Sequence, residues 1–195
     1  MDADGVTFAC ATTAELRVAR RVGARTALVG LGASNGVPDG PVVSFGIAGA
    51  LHDELPIGTV LDATRVVDAE GTVLWEGQPL GVPGAKAVTM LAADDVVDDA
   101  AERQRLHELT GADAVDMESG RLARAGSLQG VLRAISDTPE RPLNGVAESL
   151  TLAGTTNWSG LARAFVRQPR GFIRAAADAM RALDRLGDAA KRWSP

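Results

Sequence analysis

Acidic side chains follow three apolar segments at the points where those segments end. These are Asp94-Asp95, Asp116 with Glu118, and Asp137 after Ser136. Polar groups at the carboxyl ends of strands form the site in open α/β proteins, so we expect these carboxylates to converge. A carboxyl group that emerges from a buried strand is partly desolvated. This favours its protonated form and would suit Asp137 to general acid chemistry.

Each carboxylate also has a structural interpretation that the spacing leaves open. Asp137 could cap a helix or pair with an arginine. Glu118 could lie in the first turn of a helix, where the helix dipole favours an acidic side chain. Glu15 follows the first apolar segment by one or two helical turns, and a lone helical glutamate there could simply face solvent.

The sequence lacks the common phosphate-binding and nucleophile motifs. Gly46-Ile47-Ala48-Gly49-Ala50 would let a ligand approach the backbone closely, but no GxGxxG, P-loop or GxSxG pattern occurs. Cys10 lies in an apolar segment as a small hydrophobe, and His52 and His107 are expected at the surface. One cysteine and two histidines make a poor metal-binding set.

Short apolar segments alternate with turns and helical segments through most of the chain. The predicted strands are Val6–Ala11, Thr26–Leu31, Val42–Ala50, Gly58–Val67, Thr72–Trp75, Ala85–Leu91, Ala114–Met117 and Gly130–Ile135, and the predicted helices are 12–22, Asp98–Leu109 and Arg121–Ala125. Strands rich in Val, Leu and Ala between helices predict a single-domain α/β fold. We expect a central, mostly buried mixed sheet flanked by helices.

Composition and charge exclude several classes of protein. With 195 residues, 46% of them hydrophobic and 23% charged, the chain can bury a core and is not disordered. Residues 1–159 carry 12 Lys and Arg against 22 Asp and Glu, which disfavours a nucleic-acid partner. No apolar run approaches the roughly 20 residues of a membrane span. Acidic residues replace the positive start of a signal peptide, so we expect a cytoplasmic protein.

The C-terminal segment 161–195 is basic and has helical periodicity. It carries eight Lys and Arg against three Asp, and its apolar residues, among them Phe172, Ala176 and Leu183, recur at helical spacing. One interpretation is a helix packed on the sheet with a solvated basic face. The other is an interfacial helix that makes a peripheral contact with anionic lipid at a membrane surface.

Four ordered motifs resemble the nucleoside phosphorylase/nucleosidase superfamily, which includes purine nucleoside phosphorylases and methylthioadenosine/S-adenosylhomocysteine nucleosidases. AVDMES at Ala114–Ser119 resembles the ribose-binding strand of the family, and LRAISD at Leu132–Asp137 resembles its catalytic strand. SFGIAGAL at Ser44–Leu51 resembles the glycine-rich turn, and LPIGTV at Leu55–Val60 resembles the start of the following strand. The resemblance covers roughly residues 6–140 and implies one nucleoside phosphorylase-like domain.

Within the superfamily, the chain is most similar to the hopanoid-associated nucleosidases, which remove adenine from adenosylhopane. The similar segments are the hairpin from Arg65 to Trp75 and the stretch Asp137–Leu143. The resemblance implies a homodimeric enzyme that hydrolyses the N-glycosidic bond of a 5′-substituted adenosine, with adenosylhopane as the favoured substrate. No metal and no organic cofactor is implied.

The resemblance also implies roles for individual residues. Asp137, next to Ser136, would protonate N7 of adenine. Glu118 would accept hydrogen bonds from the ribose hydroxyls while Met117 packs against the sugar, and the negative charge of Glu118 would favour a cationic transition state. Glu15 would orient the attacking water.

Two departures from the family pattern concern the substrate. The phosphorylases place an Arg before the glycine-rich turn and a Ser or Thr within it, whereas this chain has Ile47 followed by Ala48 and Gly49. Phosphate without a cation is poorly bound, so hydrolysis is expected rather than phosphorolysis. Val96 stands where related nucleosidases place an aromatic residue against adenine, so we expect Val96 and Val97 to form an apolar wall for the base.

A third departure is the short connection after the second strand. Only Gly32–Gly40 separates Leu31 from Val42, so the helix that the family has at this point is nearly missing. Two other functions therefore stay open. One is a phosphate-dependent purine nucleoside phosphorylase, and the other is a non-catalytic nucleoside-binding member of the family.

Overall fold

The computed structural model describes residues 5–143, 151–155, 157 and 169–193. The strands are β1 (Thr7–Cys10), β2 (Arg25–Leu28), β3 (Val42–Ala50), β4 (Val60–Val67), β5 (Val73–Glu76), β6 (Lys86–Ala92), β7 (Ala114–Asp116) and β8 (Leu128–Asp137). The α-helices of the described residues are α1 (Thr13–Arg21), α2 (Ala100–Thr110), α3 (Ser119–Arg124) and α4 (Pro169–Arg192). This alternation confirms the predicted single-domain α/β fold.

The strands form one mixed sheet, as predicted. Parallel pairs join β1 to β2 and β3, β3 to β8, and β6 to β4 and β7. Antiparallel pairs join β3 to β7 and β4 to β5 and β8. Because β8 pairs with both β3 and β4, the strands β3, β7, β6, β4 and β8 close into a ring. The sequence does not predict this closure.

Each face of the sheet is covered by different helices. Successive residues of a strand point to opposite faces, and on one face Phe8, Val43 and Phe45 pack with Ala19 of α1 and Leu186 of α4. The opposite face is covered by α3. Strand β3 is buried almost throughout, which explains why its sequence is a nearly continuous apolar run.

The predicted helix boundaries rest on capping residues that the structure confirms. The Thr12 hydroxyl accepts a hydrogen bond from the Glu15 N–H, and the Glu15 carboxylate accepts one from the Thr12 N–H, which makes a capping box at α1. Asp99 caps the start of α2, and Gly111 ends it in the left-handed conformation with φ of 67°. Helix α2 is less exposed than the sequence predicts, because Arg103 and Leu106 are buried.

Helix α4 packs against the sheet with its apolar side, as one of the two sequence interpretations predicts. Phe172, Leu183 and Leu186 are buried, whereas Arg174 and other basic residues are exposed. The predicted helical residues 161–168 lie outside the described residues. Within the part of the chain that is described, no helix has the length and apolarity to cross a membrane.

The connection between β2 and β3 contains a single short 3-10 helix, Leu31–Ala33, in agreement with the predicted loss of a helix there. The segment 151–155 packs against this connection. The Leu31 N–H donates to the Leu152 carbonyl at 2.8 Å, and the Thr13 N–H donates to the Gly154 carbonyl at 3.0 Å. The segment thereby also satisfies a free N–H group at the start of α1.

Candidate active site

A cavity of about 150 Å³ lies at the C-terminal ends of β1, β3, β7 and β8. All the residues that the sequence analysis predicted for a site line this cavity: Glu15, Ile47, Ala48, Gly49, Val96, Val97, Met117, Glu118, Ser136 and Asp137. Of the first acidic pair, Asp95 lines the cavity and Asp94 is exposed. The structure thus brings the predicted residues together, while their chemical roles stay predictions.

Arg133 is the centre of a buried charge cluster on one side of the cavity. This residue of β8 has no exposed surface. Its Nη2 atom lies 2.7 Å from Asp116 Oδ2 and donates to Glu118 Oε2 at 3.0 Å and to Ser44 Oγ at 2.6 Å. Its Nη1 atom lies 3.9 Å from Glu15 Oε1. One guanidinium therefore compensates three carboxylates from three different elements.

Glu15 is buried and oriented by backbone groups on both sides. Its Oε2 atom accepts hydrogen bonds from the Thr12 N–H at 2.7 Å and the Thr12 hydroxyl at 3.0 Å. Its Oε1 atom accepts a hydrogen bond from the Ile47 N–H at 2.9 Å. The interpretation of Glu15 as a solvated helix residue is therefore wrong, because the N3 position of the capping box turns its carboxylate back toward the end of β1.

Glu118 reaches away from its own helix. Its Oε1 atom accepts a hydrogen bond from the Gly32 N–H at 2.9 Å, so the short β2–β3 connection helps to hold this carboxylate. The side chain makes no capping hydrogen bond to α3. Burial raises the pKa of Glu118 to about 7 against the opposing effect of Arg133, and the neighbouring carboxylates Asp116 and Glu15 raise it further.

The raised pKa of Glu118 predicts a pH dependence of stability. As the pH rises from about 4.5 to 7, the unfolded chain releases the Glu118 proton before the folded protein does. This group therefore makes the free energy of unfolding fall through that range, and Glu118→Gln should remove its contribution. Denaturant unfolding of both proteins across this pH range tests the prediction. Parallel stability curves for the two proteins would contradict it.

Asp137 lies at the opposite end of the cavity and is held from two sides. The Ser136 hydroxyl donates to Asp137 Oδ1 at 2.6 Å. Nη2 of the buried Arg103 donates to Asp137 Oδ2. The alternative of an arginine-paired aspartate is thus confirmed, and the pairing opposes the protonated form that strand burial alone was expected to favour. Asp137 nevertheless lines the cavity.

Two glycines of β3 leave the space that these charged groups occupy. A Cβ at Gly46 would meet the Glu15 carboxylate and lie 2.5 Å from Arg133 Nη1, and a Cβ at Gly49 would lie 2.7 Å from Asp137 Oδ2. The β3–β8 register also shifts at this point, where Gly49 pairs with Asp137. Such bulges redirect side chains beside functional sites.

We predict that Gly46→Ala and Gly49→Ala each destabilise the protein. The added methyl group would displace a buried charged side chain, and overpacking of this kind costs about 1–3 kcal/mol. Denaturant unfolding measures the loss. Gly5→Ala is the control, because no atom lies within 4 Å of the added Cβ there. Unchanged stability of the two strand variants would show that the cluster rearranges without strain.

The remaining wall of the cavity is largely apolar. Val96 and Val97 lie after β6, where the sequence analysis predicted a wall for the base. Leu31, Leu143 and Ala179 also line the cavity, the last from α4. These three residues were not predicted, because they come from a loop, a segment after β8 and the C-terminal helix, which only the fold brings together.

The two buried arginines are the main site residues that sequence reasoning missed. Arg133 lies within the apolar run of β8, and a charged residue in such a run indicates a buried partner. Arg103 gave no signal, because it belongs to a helix whose sequence is otherwise polar. His52 and His107 stack on each other with ring centroids 4.7 Å apart and do not line the cavity.

Neither thiol chemistry nor a metal site emerges among the residues described. Cys10 is a free, buried cysteine, and burial raises the pKa of its thiol, which disfavours the reactive thiolate. Within the same residues, no group of three or more His, Cys, Asp or Glu side chains is arranged to hold a metal ion.

Solved structures with this fold are nucleosidases. The fold is similar to that of a futalosine hydrolase mutant of Helicobacter pylori, with a TM-score of 0.59 and 16% identity over 94% of this chain and 98% of the other. It is equally similar to the H. pylori 5′-methylthioadenosine/S-adenosylhomocysteine nucleosidase, with a TM-score of 0.59 and 16% identity over 96% and 99% of the two chains.

A plant protein shows the same similarity. The Arabidopsis thaliana 5′-methylthioadenosine nucleosidase has a TM-score of 0.55 and 14% identity over 97% of each chain. No protein-family model and no curated protein sequence matches this chain. The chain therefore has the fold of the nucleoside phosphorylase/nucleosidase superfamily, as the sequence motifs predicted.

Proposed function

We propose that this protein is a nucleosidase that hydrolyses the N-glycosidic bond of a 5′-substituted adenosine and releases the free base. The observation that carries the proposal is the convergence of Glu15, Glu118 and Asp137 on one cavity with an otherwise largely apolar wall. The similarity of the fold to several nucleosidases supports it.

The three carboxylates match the needs of this reaction. The C1′–N9 bond breaks with its electron pair going to the base, so Asp137 would give its proton to N7 of the base. The sugar becomes cationic, and the negative charge of Glu118 beside the ribose hydroxyls would stabilise it. Water would add to C1′ and lose a proton to Glu15, which the Ile47 N–H and Thr12 hold in place.

The charges around the cavity support hydrolysis over phosphorolysis. Among the described residues, the arginines beside the cavity, Arg103 and Arg133, are already paired with carboxylates. A phosphate ion would need a cation that is free to bind it. It would also meet the negative charges of Glu15, Glu118 and Asp137. Water needs no such cation.

The apolar wall supports an uncharged 5′ substituent on the nucleoside. Leu31, Leu143 and Ala179 contribute it together with Val96, and apolar surface of this kind disfavours a charged group. Adenosylhopane as the substrate stays a prediction from the resemblance. The homodimer also stays a prediction, which light scattering on the purified protein would test. Because α4 buries its apolar side in the core, we do not extend the proposal to a lipid contact.

The experiment that tests the proposal measures base release from 5′-methylthioadenosine, S-adenosylhomocysteine, futalosine and adenosylhopane, with and without phosphate. We expect phosphate-independent release of the base from at least one of them. Release that requires phosphate would identify a phosphorylase. Binding of these nucleosides without any release would identify a non-catalytic binding protein.

A further inference from the structure

Arg103 is a buried charge that the proposed reaction does not use directly. It lies in the first turn of α2 and is only 1% exposed. Its Nε atom donates to the Val97 carbonyl at 2.9 Å, its Nη1 atom donates to the Ala50 carbonyl at 2.9 Å, and its Nη2 atom donates to Asp137. The guanidinium thus joins the end of β3, the wall of the cavity and the end of β8.

These contacts fix the direction of the charge. The two carbonyls hold Nε and Nη1, so Nη2 is left directed at Asp137. Gly49 leaves room for this arrangement, because a Cβ there would lie 3.3 Å from both Nη1 and Nη2. The Ser136 hydroxyl holds the other carboxylate oxygen of Asp137. The carboxyl group is therefore constrained from both sides in the empty cavity.

We propose that Arg103 is a positioning residue that acts on the reaction through Asp137. It orients the carboxyl group toward the base and stabilises the carboxylate that remains after the proton has moved to the base. A general acid is strengthened when its conjugate base is stabilised. Because the guanidinium is already in place, this stabilisation requires no reorganisation when negative charge develops on Asp137. The inference rests on the proposed function.

A purely structural role would make a different prediction, which the leaving group can reveal. In a p-nitrophenyl β-riboside, the nitrophenolate departs without being protonated, so Asp137 is not needed as an acid. A residue that acts through Asp137 matters for a purine nucleoside and hardly for the nitrophenyl riboside. A residue that only holds α2 against the sheet affects both substrates equally.

The experiment compares Arg103→Met and Arg103→Lys with the unaltered protein on both substrates. We expect Arg103→Met to lower kcat for the nucleoside about 10²-fold and the nitrophenyl rate less than about threefold, since general acid catalysis contributes about 10²–10⁴-fold. Arg103→Lys, which keeps the charge, should recover much of the nucleoside activity. Arg105→Met is the control, because Arg105 is an exposed residue of the same helix that pairs with Glu102.

A double variant gives an independent readout. In Asp137→Asn the acid is absent, so adding Arg103→Met should lower nucleoside cleavage no further. Losses that add in full, or equal losses on the two substrates, would overturn the inference. If Arg103→Met does not fold, Arg103→Gln takes its place, and equal nucleoside activity of Arg103→Gln and Arg103→Lys would overturn the inference too. If the unaltered protein releases no base from any nucleoside, the proposed function itself fails.

Discussion

Asp137→Asn is expected to lower the rate of base release by about 10²–10⁴-fold, which is the contribution of a well-placed general acid. Asparagine has the same shape and can still accept a hydrogen bond from Arg103 through its amide oxygen. It cannot give a proton to the leaving base, because its amide is not acidic. The fold should therefore survive while the reaction fails.

Chromatographic measurement of the free base, with the unaltered protein and the variant at equal concentration, gives the ratio of rates. Asp94→Asn is the matched control, because Asp94 is an exposed carboxylate that does not line the cavity, and its rate should be unchanged. If Asp137→Asn keeps full activity, Asp137 serves only as the structural partner of Arg103 and the acid must be another group.

Arg133→Met is expected to have the largest effect on stability. Arg133 is fully buried and contacts Asp116 and Glu118, with Glu15 close by. Methionine fills part of the space but leaves these carboxylates without a cation. Breaking a buried ion pair by removal of one partner costs about 3–5 kcal/mol. Denaturant unfolding at neutral pH measures the loss against the unaltered protein.

The pH dependence of this loss identifies its cause. At lower pH the carboxylates around the vacated position can bind protons and no longer need a cation, so Arg133→Met should lose less stability there. Glu118 should respond first, because burial already raises its pKa to about 7. A loss that is the same at all pH values would mean that packing, and not charge, is responsible. Arg105→Met, at an exposed pair, should show little change.

Most secondary structure could be predicted from local patterns. The strand Val42–Ala50 has the same bounds in the structure as in the sequence analysis, because both of its faces are buried and its sequence is continuously apolar. Strand β8 is longer than predicted, since it extends to Asp137. Its last two residues are polar, and a hydrophobicity pattern cannot show that they still pair with β3.

The site could be predicted in part, for a related reason. Glu118 and Asp137 follow apolar strands, and Gly46 and Gly49 mark a strand that other groups approach closely; these features are local in sequence. The partner of Asp137 is not local, since Arg103 lies 34 residues away in sequence. The sequence analysis could name an arginine pair as an alternative but could not say which arginine forms it.

The sequence by itself thus determined the alternation of strands and helices, the glycine-rich turn and the carboxylates available for chemistry. These follow from periodicity, turn residues and strand ends, which are properties of neighbouring residues. Only the tertiary structure decided that the strands close into a ring, that α4 lines the cavity through Ala179, and that Arg133 and Arg103 compensate the buried carboxylates. Those features depend on contacts between distant segments, where burial makes an uncompensated charge too costly to keep.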